Sequence, residues 1–331
     1  MKKISLAIIG GAGFLGTSLA KYLNSKNLDF NLIDKDASLI RTKPIIQADV
    51  EDYQSLEVIS QSTAIINLAA VHRDDIKPLS RYDDVNIQGA VNVCKCARLH
   101  NINKIVFTSS VAIFGFAPRD TDESGEPNYF NDYGRTKYLA EQVYKEWQAE
   151  DPENRCLVIV RPTVIFGEGN RGNVYNLFKQ IFSGKFVMIG DGKNVKSMAY
   201  VENVVAFLEF SLSFKPGLHI YNYIDKPDYA MNTLVSEVRK ILSKKNYIGL
   251  RIPAFFGIAI GHMADFFAKI TGKTLLVSSI RIKKFMSTTQ FASSVNKTGF
   301  LPPFSLKEGL VRTLRYEFLE DNSDKQTFET E

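Results

Sequence analysis

Short apolar runs alternate with stretches of helical period through the first half of the chain. Residues 4–9, 30–33, 45–47, 64–70, 104–109 and 156–160 read as strands, and residues 17–24, 90–99 and 137–149 as helices between them. Apolar strands joined by helices predict an α/β fold with a doubly wound parallel sheet, covered on both faces. After Gly167 the rhythm loosens, and Gly and Pro punctuate short helices and isolated strands. The chain is therefore expected to divide into a first domain over residues 1–167 and a smaller, discontinuous substrate-binding lobe over residues 168–331. Part of 195–225 is expected to return to the first domain. The polar tail after Glu320 is expected to fray.

The length of 331 residues suits one large or two moderate domains. A net charge of +5 is too small for a nucleic-acid binder but favours anionic partners such as phosphates or an acidic lipid surface. Cys94, Cys96 and Cys156 form neither a zinc spacing nor a disulfide framework, so a reducing cytoplasm and no metal are expected. Two lysines precede the first apolar run, but that run is short and ends in glycines. It reads as a strand and not as a signal peptide.

Gly10, Gly13 and Gly16 follow the first strand and open a helix, with Phe14 and Leu15 between the last two. Glycines there allow a tight turn and a close approach to a pyrophosphate, which the helix N-terminus attracts with free N–H groups. The strand–turn–helix context points to a Rossmann-type dinucleotide site. Asp34 closes the second strand, where a carboxylate accepts hydrogen bonds from a ribose diol and repels a 2′-phosphate, favouring NAD over NADP. Asp49 and Val50 are placed to reach the adenine edge, or are an ordinary strand end.

Ser110 follows the fifth strand, and Tyr133 and Lys137 begin the next long helix. Four residues apart on a helix, Tyr133 and Lys137 share a face. A nearby ammonium lowers a phenol's pKa and makes it usable as a base near neutral pH. Ser110 is placed to hold a substrate hydroxyl.

With these residues in view, the chain resembles the extended short-chain dehydrogenase/reductase family, in its sugar epimerase/dehydratase branch. The likeness covers most of the chain. It is carried by GGAGFLG, Asp34, the Asn67-Leu68-Ala69-Ala70 turn, Asn86 in NIQG, TSSVAIFG, YGRTK and RPTVIFG. The resemblance implies that Tyr133 is the catalytic base, that Lys137 binds the nicotinamide ribose, and that Ser110 assists. It also implies that Leu68, Ala69, Ala70 and Asn86 lie along the cofactor. Phe114 stands where the family usually has Tyr. The branch's dehydratases place an Asp-Glu pair after the Ser/Thr; here Val111 and Ala112 offer no ionisable group, so hydride chemistry by an epimerase is the expectation.

Lys196, Ser197 and Asn203 replace the Arg, Asp and Asp that nucleotide-sugar members carry. Lys is a point charge where Arg is a bidentate fork. The stretches around His72-Arg73-Asp74-Asp75 and RPTVIFGEGNRGNVYNLFK resemble the undecaprenyl-diphosphate-linked N-acetylglucosamine 4-epimerases of bacterial O-antigen synthesis. So do KSMAYVEN and VSSIRIKKFMSTTQF. This implies a polyprenyl-diphosphate-linked sugar as substrate, with His72, Arg73, Ser110, Arg171, Asn173 and Lys196 as candidate contacts. For the charged ones, plain solvation is the competing reading. A UDP-sugar 4-epimerase and a hydroxysteroid-type dehydrogenase stay open, as does an NAD-sensing binding protein. The resemblance also implies a homodimer.

Residues 253–270 are nearly all apolar. On a helix at about 100° per residue, Phe255, Phe256, Ala259, Ile260, Met263, Phe266, Phe267 and Ile270 fall within an arc of about 140°. His262, Asp265 and Lys269 lie opposite, and Gly257, Gly261, Ala264 and Ala268 form a strip suited to close packing. A spanning helix needs roughly twenty apolar residues with few charges, and this one is two-faced. Two readings remain: the aromatic arc packs into the substrate lobe, or it meets lipid at an interface. Lys244, Lys245, Arg251, Lys273, Arg281, Lys283 and Lys284 flank it and would meet anionic lipid. The lipid reading implies a cytoplasmic protein, peripheral on the inner membrane.

Overall fold

Alternation along each central strand sends successive side chains to opposite faces of one sheet. In the computed structural model Leu6 and Ile8 enter one core while Ala7 and Ile9 enter the other. Residues 5–36, 43–73, 76–242, 248–271 and 278–330 are described. Asp74, Asp75, Lys244, Lys245 and Lys273 lie outside the described residues.

In chain order the strands are β1 (Leu6–Ile9), β2 (Phe30–Asp34), β3 (Ile45–Gln47), β4 (Ala64–Asn67), β5 (Lys104–Thr108), β6 (Cys156–Pro162), β7 (Val164–Phe166), β8 (Val187–Ile189), β9 (Val195–Tyr200), β10 (Gly217–Tyr223), β11 (Asp225–Ala230) and β12 (Leu250–Ile252). The helices are α1 (Phe14–Ser25), α2 (Ser80–Tyr82), α3 (Gly89–Leu99), α4 (Asp132–Ala149), α5 (Asn173–Phe182), α6 (Val201–Phe210), α7 (Met231–Ile241), α8 (Ala254–Thr271), α9 (Ser279–Met286) and α10 (Leu306–Phe318).

The main sheet has the order β10-β6-β5-β4-β1-β2-β3, and all its pairings are parallel. The architecture is the doubly wound Rossmann type. The chain reverses direction across the sheet between β1 and β4, which opens a crevice at their carboxyl ends. Two small sheets, β11-β9-β7 and β12-β8, lie in the second half. One apolar core runs without a break from β1 and α1 through α6 to α5 and α7. Cys94, Cys96 and Cys156 are buried free thiols, and burial pushes Cys94 up to about 12.

The tail departs from expectation. After α10 the chain docks again: the Phe328 N–H donates to the Gly169 carbonyl at 2.9 Å, and its carbonyl accepts from Arg171 N–H at 2.8 Å. The Phe328 ring lies 5.7 Å from that of Phe14. An apolar ring in a polar tail buries surface that fraying would expose.

The glycine turn is tightly enclosed. A Cβ on Gly16 would sit 2.4 Å from the Gly10 carbonyl oxygen and 2.7 Å from Gly11 Cα. Gly10 has φ of +81°, and its Cβ would sit 2.6 Å from the Ala69 nitrogen. These are backbone atoms that cannot swing aside. Gly16→Ala is therefore expected to cost roughly 2–3 kcal/mol in urea unfolding; an unchanged midpoint would contradict this packing.

Candidate active site

Asn131 starts α4, because its side-chain oxygen accepts the Gly134 N–H at 3.0 Å. Tyr133 thereby falls in the first turn. Gly134, which the sequence reading passed over, lets this turn come close to the Ser110 loop. A Cβ there would lie 2.5 Å from the Ala112 carbonyl oxygen. Ser110 caps the next turn by accepting the Ala112 N–H at 3.1 Å, and its side chain is hydrogen-bonded to Tyr133. Burial holds the Tyr133 phenol above its ordinary pKa, and the Ser110 bond opposes this.

Lys137 is buried at 2% exposure, with its ammonium 4.3 Å from the centre of the Phe107 ring. Desolvation pulls its pKa down to about 7, against the pull of the Glu141 carboxylate one turn further on. Glu141 in turn accepts Ser109 Oγ at 2.6 Å and two Arg161 nitrogens at 2.8 and 2.6 Å. The structure thus brings Ser110, Tyr133 and Lys137 together. Burial, not the ammonium, dominates at Tyr133. Phe114 is fully buried between Arg161 and Phe291.

The residues at the crevice fit NAD. The Gly13 N-cap of α1 has no side-chain cap, and a Cβ there would meet nothing closer than the Gly10 carbonyl at 3.5 Å. Packing therefore does not explain that glycine, and its open side lies at the lip of the turn beside Phe14 and Leu15. Asp34 accepts the Ala12 N–H at 2.9 Å and the Asp36 N–H at 3.1 Å, leaving acceptor capacity at the crevice rim. Leu68 N–H donates to the Ile9 carbonyl, and Asn67 accepts from Ala69 N–H, so the 68–70 turn is pinned beside the glycines.

Other expected contacts are engaged elsewhere. Asn86 is buried, with its amide on both backbone groups of Val71 and on Thr136. It holds the 68–71 turn to α4. Asp49 caps a local turn through the Glu51 N–H, and Val50 packs in the core against Gly89. Lys196 donates to the Lys284 and Ser287 carbonyls at 2.9 and 2.6 Å, and burial pulls it down to about 8. It caps α9 instead of facing outward. Arg171 pairs with Glu317 and lies over Tyr175. Asn173 is exposed at the start of α5. His72 has an open outer surface, but its ring reaches the backbone of Ala70 and Thr330. Desolvation and the Lys137 and Arg73 charges hold its pKa below the ordinary value. The Arg73 carbonyl accepts from Tyr82.

The chain matches the NAD dependent epimerase/dehydratase family over residues 6–223. It is 46% identical over 332 aligned positions to the N-acetyl-alpha-D-glucosaminyl-diphospho-ditrans,octacis-undecaprenol 4-epimerase of Escherichia coli O157:H7, with 99% of each chain covered. A UDP-glucose 4-epimerase of Vibrio cholerae is 27% identical, over 96% of this chain and 97% of its own. Among solved structures, UDP-glucose 4-epimerase from Thermotoga maritima superposes with a TM-score of 0.76 at 20% identity, covering 96% of this chain and 100% of that one.

Lys137 creates a pH test. In nucleotide-free protein its charge is carried at a desolvation cost that is complete below about pH 7. The cost fades as pH rises from there toward the ordinary lysine value of 10.5, since the folded state then sheds the proton first. Lys137→Met is expected to raise the melting temperature most at pH 6 and progressively less toward pH 10, while abolishing turnover. A variant that melts lower at pH 6 would contradict it.

Proposed function

The chain belongs to the NAD-dependent epimerase/dehydratase family, and on that premise we propose that it interconverts N-acetylglucosaminyl-diphosphoundecaprenol and its N-acetylgalactosaminyl epimer. The reading is carried by one observation: near-full-length likeness to the undecaprenol-linked 4-epimerase of Escherichia coli O157:H7 at 46% identity. The Ser110–Tyr133–Lys137 geometry supports it.

Tyr133 takes the proton of the sugar C4 hydroxyl, which Ser110 holds in place. Lys137 holds the nicotinamide ribose, and its ammonium favours the phenolate when protonated. Once held there, NAD would supply reversible hydride transfer at C4, so no net oxidant is needed. The sugar passes through a 4-ketone, and its turning within the site exposes the other face. Tyr133 then returns the proton to the C4 oxygen. Gly10, Gly13, Gly16 and Asp34 hold the cofactor, and His72 and Arg73 border the substrate. Residues 1–167 supply the cofactor side and most of the remainder the substrate side.

The same reading makes the protein peripheral on the cytoplasmic face of a membrane, as a homodimer paired through α4, the helix that carries Tyr133 and Lys137. By length and composition α8 is able to cross a membrane. Its packing supports lying on one. Phe255, Phe256, Ile260, Met263, Phe266, Phe267 and Ile270 are 45–75% exposed. Gly257 and Gly261 face inward against Ile189 and Ser279. The aromatic arc does not pack into this chain's core.

Purified protein without added cofactor is expected to form the N-acetylgalactosaminyl lipid, and Tyr133→Phe to lose at least about 100-fold in rate. Turnover of UDP-N-acetylglucosamine alone would sink the lipid-linked reading. Stoichiometric NADH release would favour a dehydrogenase. For the membrane contact, each buried phenylalanine contributes about 1.5–3 kcal/mol. Phe255→Glu with Phe266→Glu should lower flotation with anionic vesicles more than tenfold at unchanged melting temperature. Full binding by the double variant would refute it.

A further inference from the structure

A cavity of about 670 Å³ opens between the end of β8, the start of α8 and the end of α9. This volume lies within the range of ligand sites. Ile189, Asn194, Pro253, Ala254 and Met286 line it, with Arg251 at its rim. Gly190 contributes bare backbone: a Cβ there would stand 3.9 Å from both the Ala254 methyl and the Met286 sulfur. The walls are fixed. Asn194 donates to the Phe285 carbonyl at 2.8 Å, and Lys196 holds two carbonyls at the end of α9. Arg251 donates to the Asp191 carbonyl and to Asn232. The Asp191 carboxylate is turned to the Lys193 N–H at 3.0 Å.

The position of this cavity gives it meaning. One side ends at Ala254, where the exposed aromatic face of α8 begins. The other side ends at α9, whose Lys283 and Lys284 lie over the rings of Phe116 and Phe130, each 4.9 Å away. Those rings stack on each other at 4.9 Å, one on the segment that follows Ser110 and one just ahead of Tyr133. Reading outward from the catalytic pair, the order is aromatic rings, two ammonium groups, an apolar cavity and an apolar helix face. A sugar followed by a diphosphate and then a branched hydrocarbon chain presents matching chemistry in the same order.

We infer that Lys283 and Lys284 bind the diphosphate and that the cavity between Gly190, Ala254 and Met286 holds the first isoprene units of the substrate, directing the chain onto α8. This rests on the lipid-linked reading above. The two lysines precede Met286 on α9, and Met286 lines the cavity; a doubly charged group there must be desolvated on one side and paired on the other. The cavity's methyl, thioether and pyrrolidine walls suit hydrocarbon.

The test compares kcat/KM, in detergent micelles without bilayer, for N-acetylglucosaminyl diphosphate esterified to undecaprenol and to methanol. Wild type is expected to favour the undecaprenyl ester at least tenfold. Met286→Trp should cut that tail preference at least tenfold. Ala254→Leu, a smaller intrusion at the opposite wall, should lower it in the same direction, so that a folding defect in either variant leaves the measurement standing. Lys283→Gln with Lys284→Gln should weaken both esters alike, and Arg at both positions should restore them. Variants that keep the full tail preference overturn this assignment alone. A wild type that turns over neither ester, but does turn over UDP-N-acetylglucosamine, overturns the lipid-linked reading and this one with it.

Discussion

Glu141 carries a negative charge into a place that water does not reach. Its side chain is fully buried, and it is held by Arg161 from β6 and Ser109 from the end of β5. Arg161 also donates to the Glu123 carbonyl at 3.0 Å. A buried pair of this kind adds little net stability over an apolar pair, but removing one partner leaves a stranded charge that costs about 3–5 kcal/mol. Its value here is geometric. Tyr133, Lys137 and Glu141 follow one face of α4 at four-residue intervals. Locking Glu141 to two strand ends therefore sets the height and rotation of the helix over the sheet, and Ser110 follows Ser109 by one residue. The relation of Ser110 to Tyr133 depends on that clamp.

Lys137 sits between opposing demands. Burial disfavours its charge and Glu141 supports it, and the outcome is a pKa near 7. A lysine at its ordinary value would be a fixed cation; here burial lowers the value and the Glu141 carboxylate opposes that fall. Phe107 contributes an aromatic face 4.3 Å away, which favours the cation without offering a proton acceptor. Such tension is the common price of a functional ammonium in an enclosed site.

What the sequence made legible was local. Strand–helix alternation, the three glycines and the Tyr–Lys spacing all express periodicities or backbone needs within a few residues, and the structure keeps them. What it concealed was which partner each polar side chain finds across the fold. Lys196 stood in a motif position that reads as a phosphate ligand, yet its ammonium meets carbonyls eighty-eight and ninety-one residues away. Arg171 is neutralised by Glu317, and Asn86 by Val71 and Thr136. Gly134 left no signal except its place beside Tyr133, because close approach of two backbones is visible only when both are in hand. The docked tail was foreshadowed by Phe328 alone.

The same distinction explains α8. Its amphipathic layout was readable from spacing, but spacing is symmetric about which face turns inward. The small residues decide it. At Gly257 a Cβ would fall 2.4 Å from an Ile189 methyl, and at Gly261 it would fall 2.8 Å from Ser279 Cα. That strip approaches the body closely, and Asp265 secures it by accepting the Ser279 N–H. The aromatic arc is then directed outward by the packing of its neighbours, whatever its own preference for burial. Contiguous apolar surface on a soluble chain has a cost in solubility that an isolated exposed side chain does not. An enzyme whose substrate were wholly water-soluble would gain nothing from it. One acting at the head of a polyprenyl chain has a use for such a face, and α9, which contacts α8 and whose lysines lie over the rings beside Ser110 and Tyr133, links it with the candidate site.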